Sequence, residues 1–214
     1  MSKTEALNEN PIVLTKYHVP QRSKRVFRVL FAIVLFLHFI FLTGAGVMFL
    51  FSLVTYISIW ALTISMVYFI MMVCTNHDTK PTYRYGSFFG LVSILALQTT
   101  LGYWCGIYPL KLPFSGFILY YFDMVHVYPF IYILVDFATN NIVVTKQGFV
   151  WAMYADAVYI VIYIFFEFVI GYSIYFPFDF AHWFTYPVIL LLIAFSWLLN
   201  YSMRRIQKHK FIMD

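Results

Sequence analysis

Charge is what this sequence has least of. Only 11% of its 214 residues are Asp, Glu, Lys or Arg, against about a quarter in soluble domains. A soluble globule of this length needs a charged, hydrated shell, so the shortage excludes a water-soluble fold. Cysteine is nearly absent. Cys74 and Cys105 give neither a disulfide framework nor a metal-ligand spacing, and read as small buried apolar residues within spans. No Gly-x-Ser-x-Gly elbow occurs, which argues against an ordinary serine hydrolase. No histidines cluster at metal spacing, which argues against a membrane di-iron enzyme. Residues 1–25 have no apolar core and no small-residue cleavage site, so they do not read as a signal peptide and the first span is expected to be retained. Neither internal repeats nor low-complexity tracts are visible. No metal or organic cofactor is expected, and no folded basic surface for nucleic acid.

Apolar residues fill the space that charge leaves. They make up 63% of the chain, and 22% is aromatic. A membrane span needs about 20 mostly apolar residues, and such stretches run almost unbroken from Phe27 to Ser202. The expected fold is all-α: a polytopic membrane bundle of about six transmembrane helices at roughly 26–43, 48–73, 87–108, 115–138, 149–174 and 181–203. Val26 to Val73 is too long for one span and right for two, with the turn at Thr43-Gly44-Ala45-Gly46. Residues 1–25 form a polar basic arm, 26–203 the membrane domain, and 204–214 a basic tail. Thirteen of the fourteen Lys and Arg residues then fall on one side, leaving Lys111 alone on the other. Short cytosolic segments collect these cations, so both termini are expected in the cytosol. The tail, Arg204 to Lys210, reads as a topology anchor, with contact to anionic lipid as the alternative.

Charge inside a span costs roughly 2.5–3.5 kcal/mol at mid-helix and tends to mark function. The candidates are Asp123, His126, Asp136, Asp156 and Glu167. Asp136 is near the end of its span and is expected to reach the headgroups. Asp156 and Glu167 are expected to hydrogen-bond between helices. His38 reads as a packing histidine. His126 differs: Asp123, three residues earlier, shares its helical face and is placed to orient the ring of a general base. Pro129, three residues later, removes a backbone donor and can open a local cavity. Among intramembrane hydroxyls, Thr55 lies at a similar depth to His126, within roughly 6 Å along the membrane normal. A structural histidine and a threonine bonded to its own helix are the plainer alternatives.

Here the chain resembles the androgen-induced family of multi-pass membrane proteins, which hydrolyse fatty acid esters of hydroxy fatty acids. Leu53-Val54-Thr55-Tyr56 is similar to the family's nucleophile segment. His126, followed by Pro129-Phe130-Ile131-Tyr132-Ile133-Leu134-Val135-Asp136, is similar to the segment with its second catalytic residue. Arg84, Tyr103-Trp104, Ile107-Tyr108-Pro109 and Gly171 to Phe178 extend the likeness over about 50–200. The histidine-to-proline spacing is two residues shorter here than in animal members. The resemblance implies Thr55 as nucleophile and His126 as base, acting on a lipid ester in the bilayer without a cofactor. Tyr56, Ser58, Tyr121 and Tyr128 are nearby donors for an oxyanion, and Asp123, Tyr56 and Tyr128 are the orienting or pocket candidates. A small proton-coupled transporter using Asp123, His126, Asp156 and Glu167 is the alternative, and a non-catalytic scaffold a third. The endoplasmic reticulum is the default compartment, with the plasma membrane as the other.

Overall fold

The computed structural model describes residues 14–15, 20–43, 55–75, 83–107, 117–172 and 183–212. Within them six helices follow one another: α1 (Gln21–Thr43), α2 (Ile57–Cys74), α3 (Gly86–Gly102), α4 (Phe117–Thr139), α5 (Lys146–Phe165) and α6 (Thr185–Lys210). A single π-helical turn extends α3 over Tyr103–Ile107 and another extends α5 over Phe166–Ile170. A two-residue antiparallel pair, β1 (Leu14–Thr15) with β2 (Phe211–Ile212), joins the N-terminal arm to the tail.

The fold is all-α, and four stretches are long and apolar enough to cross a membrane: Ile57–Cys74, Gly86–Cys105, Lys146–Ile170 and Thr185–Lys208. Helices apolar on every side need either a large protein core or lipid around them. Much of α5 and α6 faces outward with apolar side chains such as Val158, Val161, Leu190 and Leu191. In water that surface would be a liability, so these helices mark a membrane protein. Cys74 and Cys105 are also exposed rather than buried. Each sits on an outward helix face, where a small apolar side chain suits lipid as well as a core.

Most helix limits fall near the expected ones, but α2 begins at Ile57 after an extended Tyr56 rather than at 48, which leaves Thr55 outside it. Two further differences are informative. α1 begins at Gln21, because Pro20 supplies the carbonyl that accepts the Lys24 N–H at 3.2 Å and straight-chain residues favour helix. α6 continues to Lys210 rather than stopping at 203, since the basic tail is made of good helix formers and carries Gln207 into the bundle. The expected turn at Gly44-Ala45-Gly46, Lys80, Lys111, and the segment 173–178 lie outside the described residues.

Polar contacts fix the direction of every helix. Arg28 of α1, 1% exposed, donates its Nε–H to Asp136 of α4 at 2.7 Å. Tyr68 of α2 donates to the other carboxylate oxygen, and Asn140 donates to it at 2.8 Å. Ser87 of α3 bonds Thr145, the N-cap of α5, at 2.9 Å. Gln207 of α6 clasps Val144, accepting its N–H at 2.8 Å and donating to its carbonyl at 3.0 Å. The starts of α1, α3 and α5 therefore share one end of the bundle with the finishes of α2, α4 and α6, so the helices alternate in direction. The irregular connection Asn140–Thr145 is drawn into this end, with Asn140 to Val144 buried and its backbone served by these side chains. Asp136 thus does not reach outward as expected. At 3% exposure it is the hub of this seam, because Arg28 neutralises it and three donors satisfy its oxygens.

Helices α3 and α5, both running away from the seam, lie in direct contact. Ser87 meets Thr145, Gly90 meets Gly148, and Gln98 meets Asp156. The sequence offset is 58 in all three pairs, so the two helices are parallel and in constant register. Two glycines at the crossing let the backbones approach closely, as small residues do between membrane helices.

Candidate functional site

Thr55 and His126 lie about 15 Å from the seam, at the level of the middle of α4. Carried forward, the α3–α5 register sets Tyr159 level with Leu101. Tyr159 donates its hydroxyl to the Thr55 carbonyl at 2.6 Å, which places Thr55 at that level. The carbonyl of His126 accepts from Thr100 of α3 at 2.5 Å, and its ring stacks on Tyr103 at 4.2 Å between centroids and 12° between planes. The Thr100 hydroxyl is also 2.9 Å from its own helix carbonyl at Ala96, so one proton is shared between two helices. Thr55, His126, Thr100, Tyr103 and Tyr159 therefore form one layer.

An independent register agrees. Tyr68 of α2 reaches Asp136 of the parallel helix α4 across an offset of 68. The same offset carries Ile57, the first residue of α2, to Val125, so Thr55, just before the extended N-cap Tyr56, lies near the level of His126. The two candidates thus lie at similar depth, Thr55 just before α2 and His126 on α4, and those two helices pack against one another.

Their surroundings are dry. Thr55 is fully buried and His126 is 8% exposed. Tyr103 of this layer begins the first π-helical turn, and the second, Phe166–Ile170, lies seven residues beyond Tyr159. Such turns often mark functional positions, because the extra residue re-aims side chains at the helix end. Behind Thr55 an aromatic wall is built from Trp60, Tyr159, Tyr163 and Phe166. Trp60 and Tyr159 meet edge to face at 5.5 Å, and Tyr56 packs on the same group while its hydroxyl lies 3.5 Å from that of Tyr172. Gly171, with φ of 75°, ends this wall by letting the Tyr172 N–H turn back to the Phe166 carbonyl at 2.9 Å.

The other candidates are placed as follows. Tyr128 faces α1, its ring 5.9 Å from His38 and 5.4 Å from Tyr132. His38 bonds the Val34 carbonyl through Nδ1 at 2.6 Å, as a packing histidine should. Ser58 is buried one turn beyond Thr55. The side chains of Asp123 and Tyr121 lie outside the described residues. Glu167 is half-buried on the second π-helical turn. Among the described residues no three metal-binding side chains come together.

Comparison adds no kin. No family model, curated protein or solved structure matches this chain. The functional reading therefore stands on residues and geometry. Sequence reasoning passed over Tyr159, one tyrosine among eighteen, and Arg28, which read as part of the topology signal. Only the helix register separates them from their neighbours.

Proposed function

We propose that this chain is a six-span membrane protein with cytosolic termini, in the endoplasmic reticulum by default, that hydrolyses lipid esters with Thr55 as nucleophile and His126 as base. The observation that carries the reading is the shared layer: a buried threonine just before α2 and a buried histidine on the neighbouring parallel helix α4, at similar depth. The substrate class, lipid esters such as fatty acid esters of hydroxy fatty acids, comes from the resemblance of the segments around these residues.

An isolated threonine hydroxyl is a poor nucleophile, so the base and the buried surroundings carry the burden. His126 takes the Thr55 proton as Oγ1 bonds to the ester carbonyl carbon. The tetrahedral intermediate collapses, the alcohol oxygen leaves with the proton held by His126, and an acyl-threonine remains. Water, deprotonated by His126, then attacks the acyl carbon. The acid departs and Thr55 regains its proton. Stacking on Tyr103 suits this role by holding the imidazole in one plane.

The test is labelling of purified protein by a tagged fluorophosphonate, which loses fluoride as the Thr55 oxygen bonds to phosphorus. Wild type should label, and well-folded Thr55→Ala and His126→Ala should not. Labelling absent from wild type, or indifferent to both changes, overturns the reading.

A further inference from the structure

A second polar site lies in the interior, one layer away from Thr55 and His126. Gln98 of α3 donates one amide hydrogen to Asp156 of α5 at 2.7 Å and the other to Ser196 of α6 at 3.0 Å. Ser196 passes its own proton to the Leu192 carbonyl at 2.6 Å. Gln98 is 6% exposed, and the carbonyl oxygen of the same amide is buried with no hydrogen-bond partner. Among the described residues, the only hydrogen bond to Asp156 is the one from Gln98.

The site therefore gathers more acceptors than donors in the middle of three apolar helices. An acidic side chain facing a single neutral amide is costly inside a membrane. An orphaned carbonyl adds the cost of a buried unsatisfied acceptor. The nearest side chain that titrates around neutral pH is His126 of α4, whose carbonyl meets Thr100 two residues from Gln98 and whose ring stacks on Tyr103. The segments Gly86–Gly102 and Ile57–Cys74 carry no titratable group beyond Tyr68 and Cys74 at the far end. On α5 the nearest ions, Lys146 and Glu167, are about 15 Å along the helix. On α6 Arg204, Arg205 and Lys208 begin about 12 Å beyond Ser196. The tyrosines of these two helices are Tyr154, Tyr159 and Tyr163 on α5 and Tyr186 and Tyr201 on α6. Half a turn of the Gln98 amide would set its oxygen against the carboxylate, an arrangement stable only with a positive centre between the two.

We propose that Asp156, Gln98 and Ser196 form an intramembrane site for one small monovalent cation, a proton or a sodium ion. Its occupancy neutralises Asp156, satisfies the Gln98 carbonyl and closes the junction of α3, α5 and α6. The site is independent of the hydrolytic reading and uses none of its residues.

Infrared spectroscopy of the full chain in liposomes, with aspartate carrying a carbon-13 carboxyl, tests it. Wild type and Asp156→Asn are compared through the neutral pH range, in sodium chloride and in choline chloride. A carboxylic-acid band lost in Asp156→Asn and independent of sodium identifies the proton. A carboxylate band that shifts with sodium but not with choline identifies the metal ion. Gln98→Leu, which keeps the carboxylate, should weaken whichever response is seen by about tenfold. It also decides the matter if Asp156→Asn does not fold. An Asp156 carboxylate band that ignores pH and sodium alike overturns the proposal.

Discussion

Gly90 and Gly148 face each other across α3 and α5 so closely that a Cβ on Gly90 would lie 2.9 Å from the Gly148 Cα. In return, a Cβ on Gly148 would lie 2.7 Å from the Gly90 Cα. The obstructing atoms are backbone and cannot turn aside. Gly148→Ala and Gly90→Ala should each destabilise the protein by about 1–3 kcal/mol, as overpacking does in other tight interiors. Thermal unfolding in detergent checks this. Gly102→Ala, with nothing within 4 Å of its added carbon, is the control that should leave stability unchanged.

The seam gives a second prediction. Asp136→Ala strands Arg28 as an uncompensated buried cation and should cost about 3–5 kcal/mol. Replacing both, as Arg28→Met with Asp136→Leu, removes the charge along with its partner and should recover much of that loss. A double-mutant cycle by reversible unfolding in mixed micelles reads the difference. A loss in the double variant equal to the sum of the losses in Arg28→Met and Asp136→Leu would mean that the pair is not coupled.

Tyr159→Phe deletes one oxygen and leaves the Thr55 carbonyl buried without that donor. The cost to stability should be about 1–3 kcal/mol. If Thr55 is the nucleophile, its reaction with fluorophosphonate should slow about tenfold as its position loosens. The slowing should appear in the maximal labelling rate more than in the probe concentration at half-maximum. Hydrogen exchange at the Thr55–Tyr56 segment should rise whether or not catalysis occurs.

Gln207→Leu removes both halves of the clasp on Val144. The Val144 amide then has no donor–acceptor pair to hold it, and exchange of residues 140–145 should accelerate by at least about tenfold. Exchange within α2 should change little. Unchanged protection at Val144 would show that neighbouring contacts alone keep the connection in place.

Much of this architecture is legible in the sequence, for a plain reason. Lipid demands long apolar runs, and the connections at Thr75, at Thr139-Asn140-Asn141 and around Pro109 interrupt them. Asp156 announces an inter-helix bond because a carboxylate in such a run needs a donor, and Gln98 supplies it. Asp136 misleads for the opposite reason. Its position near a helix end suggests headgroups, while the tightness of the Asn140–Thr145 connection and the approach of Arg28, over a hundred residues away, are tertiary facts. Helix periodicity does not reveal which helices are neighbours. The common level of Thr55, Tyr159 and His126 emerges only when the registers of two helix pairs are known.

The constant register of α3 and α5 has a mechanical consequence. Three contacts at one offset, with two glycines meshed between them, make the pair behave as a keyed shaft. Neither helix can slide or rotate against the other without breaking all three at once. Relative movement within the bundle must therefore come from the helices around that shaft. Thr100 holds the His126 carbonyl and Tyr159 the Thr55 carbonyl, so both backbones are pinned to that shaft at their own level.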